Sequence, residues 1–152
     1  MKKLFLKKLN LEHKKILYKW YNLKSVLKNS TKGKKFSFKD HSAWFSKQLL
    51  SENIIKVIYM DNIPIGVIRL EKQNFTFLLS YMISPKFRRK GFALNAIHKF
   101  LKNFKSKKVK KIVAIVKKDN IPSIKIFTKL KFNKINYRKN KNILKFEYRL
   151  AK

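Results

Sequence analysis

The chain predicts a mixed α/β (α+β) layer domain, and two features of its pattern carry that reading. Runs with helical spacing alternate with runs rich in Ile, Val, Tyr and Phe. Their order is strand, helix, helix, three strands, helix, strand, helix, two strands. Within that order, residues 75–116 form a strand–helix–strand crossover, the unit that brings two parallel strands into one sheet. The 152 residues contain no internal repeat or linker and suit a single domain, 1–152, large enough to close a core. A hydrophobic content of 45% with 14% aromatic residues separates the chain from a disordered one.

A short strand is expected at residues 3–9, then a helix at 11–27 with Ile16, Leu17, Trp20, Leu23 and Leu27 on one face. The polar, Gly-containing stretch 29–35 reads as a loop. Asp40 is placed to N-cap a second helix whose apolar face carries Trp44, Phe45, Leu49 and Leu50. Residues 54–60 and 63–70 read as a hairpin across Asp61 and Asn62, with Pro64 near a strand start, where a missing N–H matters least. Residues 75–83 form a third, strongly apolar strand that Pro85 ends. Ala93, Ile97, Phe100, Leu101 and Phe104 mark the crossover helix, and 112–116 the strand after it. A helix at 122–130 has Pro in its first turn. Two closing strands, at 133–137 and 143–150, pair across the polar turn 138–142.

Composition excludes several chemistries. Without cysteine there is no disulfide, no thiolate metal site and no Cys nucleophile, and three scattered histidines suggest no metal ligand set. The opening apolar stretch breaks at Lys7, so no secretory leader is expected. No run approaches the roughly 18 apolar residues of a membrane span. The expectation is a soluble, cytoplasmic protein, monomer or homodimer. The formal charge is +33, and only Arg69, Arg88, Arg89, Arg138 and Arg149 of the 40 basic residues are arginine. Lysines spread over the whole chain, alongside abundant Asn and Ile, are what an AT-rich coding sequence favours. The resulting field draws in anionic small molecules, with nucleic acid as a second, less favoured partner class.

The strongest local signal is a strand at 78–83 leading through Ser84, Pro85, Lys86 and Phe87 into Arg88-Arg89-Lys90-Gly91-Phe92-Ala93 and a helix. A basic, Gly-containing loop opening a helix suits a diphosphate. Unpaired N–H groups and the helix dipole face the anion, Gly91 lets the backbone approach, and Arg or Lys neutralise charge.

Arg88-x-x-Gly91-x-Ala93, preceded by Ile83-Ser84-Pro85, resembles the cofactor loop of the GNAT superfamily of N-acetyltransferases. Downstream, Asn120, Ser123, Phe127 and Phe132 match the spacing of a second motif of that family. The resemblance implies a GNAT-like mixed central sheet with helices on both faces, and acetyl-CoA as co-substrate between two splayed parallel strands. It implies that main-chain groups of Met82 and Ile83 pair with pantetheine and that Arg88, Arg89, Lys90, Gly91, Phe92 and Ala93 wrap the pyrophosphate. Asn120, Ser123 and Phe127 would lie on the other side. Two positions depart from the family pattern. Phe127 stands where a Tyr often donates a proton to the leaving thiolate, and Lys131 stands where a Gly usually precedes Phe132. A left-handed Lys131 would cost roughly 1–2 kcal/mol relative to Gly.

For the acceptor, the resemblance implies direct attack by a neutral primary amine in a ternary complex. Glu71, at a strand end beside the implied cleft, and His41, at the start of the second helix, are the candidate bases, and Tyr81 a candidate hydrogen-bond partner. His13 and His98 read as surface residues. His41, Trp44, Arg69 and the Ser80-Tyr81-x-Ile83 run resemble a subgroup that acetylates nucleotide-linked 4-amino sugars of pseudaminic-acid-type pathways, in which His41, Trp44 and Arg69 would hold an anionic sugar nucleotide. The rivals are acetylation of a protein, such as a ribosomal protein, and a non-catalytic nucleic-acid-binding module on the same fold.

Overall fold

The computed structural model describes residues 2–30 and 32–150; Met1, Thr31 (inside the loop expected at 29–35), Ala151 and Lys152 lie outside them. Seven strands make one mixed sheet: β1 (Leu4–Lys8), β2 (Ile54–Met60), β3 (Ile63–Gln73), β4 (Thr76–Ile83), β5 (Lys111–Lys117), β6 (Asn133–Ile135) and β7 (Ile143–Arg149). They lie in the order β1-β2-β3-β4-β5-β7-β6. Among the described residues five α-helices accompany them: α1 (Lys14–Tyr21), α2 (Lys24–Asn29), α3 (Phe38–Leu50), α4 (Phe92–Asn103) and α5 (Ile121–Lys129). Every neighbouring pair of strands is antiparallel except β4–β5, which the α4 crossover makes parallel.

Strand alternation sends apolar residues to both faces, so the sheet needs cover on each. Leu17, Trp20 and Phe45, from α1 and α3, pack on Ile55, Val57, Val67 and Met82. Ala96, Ile97, Phe100 and Phe127, from α4 and α5, pack on the opposite face with Ile58, Ile68, Leu79, Ala114 and Phe146. Helices therefore lie on both faces, as expected.

Several boundaries differ from the sequence reading. The helix expected at 11–27 is a 3-10 turn (Leu11–His13) followed by α1 and α2. The chain breaks at Asn22, whose amide donates to the Tyr18 carbonyl while its oxygen accepts from Phe36 N–H, and Leu23 is extended. The N-cap of α3 is Ser37, whose hydroxyl accepts from Asp40 N–H at 3.0 Å; Asp40 lies in the first turn. Leu50 of α3 is 91% exposed, and the helix buries His41 and Phe45 instead. β3 continues to Gln73 and Phe75 belongs to the turn after it, whereas β6 stops at Ile135.

Asp61, in the left-handed region at φ 54, turns the β2–β3 hairpin, and its carboxylate and N–H clip Lys3 at the head of β1. A register shift beside Ile58 and Tyr59 puts Pro64 at a bulge, where its missing N–H breaks no ladder. Gly66 lies opposite Ile83, and a Cβ there would run into the carbonyl oxygen of Met82. The close approach of β3 to the end of β4 requires glycine at that position.

Candidate active site

β4 and β5 pair only at Thr76↔Lys111, Phe77↔Ile112 and Leu78↔Val113. Beyond Leu78 they separate, while β4 stays in register with β3 as far as Ile83. The result is an opening in the middle of the sheet. Ser84 N–H donates to the Ile65 carbonyl at 2.8 Å, which sets the alternation of the antiparallel β3–β4 ladder. By that alternation Tyr81 and Ile83 turn their main-chain groups to the open side, and Met82 turns its own toward β3. The Met82 side chain is buried against the α1–α3 layer.

The chain leaves β4 through a 3-10 turn (Pro85–Phe87) and enters α4. Arg88 Nε donates to the Ile83 carbonyl at 2.8 Å and fixes the loop to the strand end. Arg89 (φ 61) and Gly91 (φ 79) are left-handed, and Gly91 is the N-cap of α4 with no side-chain acceptor. The first N–H groups of α4 therefore have no side-chain acceptor among the described residues, with the positive end of the helix dipole behind them. Around Gly91 there is open space where a Cβ would be, so an anion can approach the backbone closely. Arg89 and Lys90 are exposed beside it, and Ala93 is buried under the first turn. Phe92 and Phe87 pack against each other. No acidic residue occurs between Glu71 and Asp119, so nothing in the loop's sequence neighbourhood offsets its charge. These features fit a pyrophosphate.

Across the opening, Asn120 caps α5 by accepting from Ser123 N–H. Ser123 is buried, and its hydroxyl shares a 2.5 Å hydrogen bond with the Tyr81 hydroxyl. The bond joins β4 to α5 over the gap. Burial raises the Tyr81 pKa above that of an ordinary phenol, with the Ser123 hydrogen bond and Arg88 pulling the other way. Phe127 packs edge-on to Tyr81 and against Phe132 and Phe146, so it is part of the core.

The other face of the opening carries the acceptor candidates. Arg69 lies over Trp44 (5.7 Å to the ring), and Trp44 meets Tyr21 edge-on. Burial raises the Tyr21 pKa, and the nearby Arg69 charge opposes that shift. Arg69 Nε is buried with no acceptor among the described residues, and a carboxylate oxygen of Glu71 is 3.9 Å from another guanidinium nitrogen. Exposed Ser80 stands opposite Arg69 in the ladder, and Glu71 stands opposite Leu78, level with the last β4–β5 pair. The end of α2 is tied across to β5 by Lys117 Nζ, which donates to the Lys28 carbonyl.

His41 belongs elsewhere. It is 1% exposed, wedged among Tyr18, Trp44 and Phe45, and its Nε2–H donates to the Lys14 carbonyl. Its ring ties α1 to α3 through Nε2, within a buried aromatic cluster. His13, read as a surface residue, is also buried: Nδ1 accepts from Asn10 N–H and Nε2–H donates to Tyr59. Tyr21 was not singled out from the sequence, and Ser80 entered only as part of the Ser80-Tyr81-x-Ile83 run; the Arg69–Ser80 register of the hairpin places it beside Arg69.

The geometry has counterparts in known proteins. Residues 3–133 match the acetyltransferase (GNAT) domain family. No curated protein sequence matches the chain. Among solved structures, a domain from Methanocaldococcus jannaschii superposes with a TM-score of 0.87 at 20% identity, covering 99% of this chain and 100% of that one. Spermidine N-acetyltransferase from Vibrio cholerae, in complex with CoA and spermine, gives 0.81 at 15% identity over 96% and 95%. Campylobacter jejuni N-acetyltransferase PseH, in complex with acetyl coenzyme A, gives 0.72 at 20% over 98% and 100%. The chain therefore belongs to the GNAT acetyltransferase domain family and is an acetyl-CoA-dependent N-acetyltransferase.

Proposed function

We propose that the chain acetylates the primary amine of an anionic acceptor, a nucleotide-linked amino sugar, with the acceptor entering from the Trp44–Arg69 face. The observation that carries this reading is Arg69, whose buried Nε lacks an acceptor among the described residues, beside Trp44, Tyr21 and exposed Ser80. A phosphate or sugar oxygen supplies that missing partner, and the Trp44 edge offers an apolar surface to a sugar or base. A polyamine acceptor, by contrast, would approach a chain of formal charge +33 against its field.

In this reading Arg88, Arg89, Lys90 and the α4 N-terminus hold the pyrophosphate, and the outward main-chain groups of Tyr81 and Ile83 pair with pantetheine. The bound co-substrate supplies the acetyl group as a thioester. Glu71, 44% exposed, takes the ammonium proton through solvent on the acceptor face. Tyr81, a phenol that burial makes still less acidic, is protonated at neutral pH, and with Ser123 it presents that proton, on the opposite face of the opening, to the thiolate that leaves as the amine attacks the thioester carbon. Holding both reactants in one gap supplies the orientation on which direct transfer depends.

Thiol release from acetyl-CoA, measured across amino-sugar nucleotides, peptides and polyamines, tests the acceptor assignment. Turnover confined to peptides or polyamines would overturn it. Tyr81→Phe is expected to lower kcat roughly 10²-fold, the low end for a general acid because a thiolate leaves readily, with KM for acetyl-CoA little changed. An unchanged kcat removes Tyr81 from the chemistry.

A further inference from the structure

At the paired end of β4 and β5, away from the cofactor loop, Phe75, Lys108, Lys110, Lys111 and Arg149 line an open cavity of about 430 Å³. Its walls are fixed by main chain. Lys111 lies between Thr76 and Arg149 in the ladder, and Leu150 N–H donates to the Lys110 carbonyl at 2.8 Å. Phe75 stands at the tip of the β3–β4 turn beside left-handed Asn74 (φ 49), and the residue is 80% exposed. One cation, Lys111, is paired with Glu147. Lys108, Lys110 and Arg149 have no ion pair among the described residues. Arg149 is one of five arginines in a lysine-dominated chain.

A large aromatic ring left bare in water and ringed by cations is poor material for a core. It is a good surface for a base to stack on while its phosphates meet lysine and arginine. The volume suits one nucleotide rather than a long groove. β4, eight residues long, separates this end of the sheet from the Arg88–Gly91 loop by about 26 Å, so the cavity is not part of the cofactor site.

We propose that the cavity seats one nucleotide of a single-stranded nucleic acid, its base on Phe75 and its phosphates on Lys108, Lys110 and Arg149. The uniform basic field brings the strand to the protein, and the cavity places it.

The test is binding of a fluorescein-labelled pentauridylate to the full chain with CoA at saturation, so that the cofactor site is closed to nucleotides. Phe75→Ala, at a side chain the fold does not need, is expected to weaken binding five- to tenfold. Phe36→Ala, which removes another exposed ring and no charge, leaves it unchanged. Replacing Lys108 and Arg149 by Gln lowers both affinity and its salt dependence more than replacing two exposed lysines of α1 and α3, Lys15 and Lys47, does. Equal binding by Phe75→Ala and wild type reduces the interaction to net charge and overturns the proposal. Uridine monophosphate binding as tightly as the pentamer also overturns it, because the ligand would then be a free nucleotide. Acetyl transfer by Phe75→Ala stays at the wild-type rate, so this result and the acceptor assignment stand or fall separately.

Discussion

Lys131 pays a backbone penalty in a motif that is otherwise well made. It follows α5 at φ 63, while its N–H donates to Thr128 and Phe132 N–H donates to Phe127, both at 3.0 Å. That pattern is a Schellman ending, completed by the Phe127–Phe132 ring contact at 5.0 Å. Because the hydrogen bonds already hold the turn, Lys131→Gly removes only the left-handed strain and should stabilise the fold by about 1 kcal/mol in urea unfolding. His13 and His41 make a different commitment. Burial lowers both pKa values below 6.5, and His13 Nδ1 can accept from Asn10 N–H only while it is unprotonated. A group with a depressed histidine pKa binds its proton more readily when unfolded, so acidification favours the unfolded chain. Stability should hold above about pH 6.5 and fall as pH drops from there toward the lowered folded values. His13→Gln should flatten that slope, as read from urea midpoints across the range.

Among elements, the strand–loop–helix from β4 to α4 was the part most open to reading from sequence. Its signals are local: an apolar run, then Pro85, then Arg88 and Gly91 at the mouth of an amphipathic helix. Structure adds what spacing cannot carry, namely that β4 and β5 separate beyond Leu78 and that alternation gives the open side to Tyr81 and Ile83 rather than Met82. The acceptor face was less legible, because a buried His41 and a half-open Trp44 on one amphipathic helix give the same pattern as two ligands. Asn22 broke the expected first helix by side-chain hydrogen bonds to residues 18 and 36, the second of them remote in sequence. The loop itself gives a sharp prediction. Gly91→Ala has room for its methyl group but must hold φ 79, and the methyl would sit where the pyrophosphate approaches. Loss of one helix-end contact is worth about 1 kcal/mol, so KM for acetyl-CoA should rise about fivefold with kcat little changed. A lower kcat at constant KM would place the loop's role in chemistry instead of binding.

On the scale of the whole molecule, charge and site act together. The chain has 40 basic residues against seven acidic ones, and the cofactor loop lies in a stretch without a single carboxylate. Such a field raises the local concentration of any anion before contact is made. It also reaches well beyond the loop at low salt, because the Debye length is about 30 Å at 0.01 M and about 8 Å at 0.15 M ionic strength. Raising salt across that range should therefore increase KM for acetyl-CoA and for an anionic acceptor, through slower association, while kcat measured at saturation stays level. A simple amine acceptor without phosphate, cationic at neutral pH, offers the internal comparison, since screening its repulsion should leave its KM level or lower it. If the two acceptors respond alike, the field contributes through acetyl-CoA alone and the acceptor face is electrostatically silent. If the anionic acceptor responds more steeply and Arg69→Ala removes the difference, the selectivity resides at the Trp44–Arg69 corner and the surrounding lysines only deliver the substrate to it.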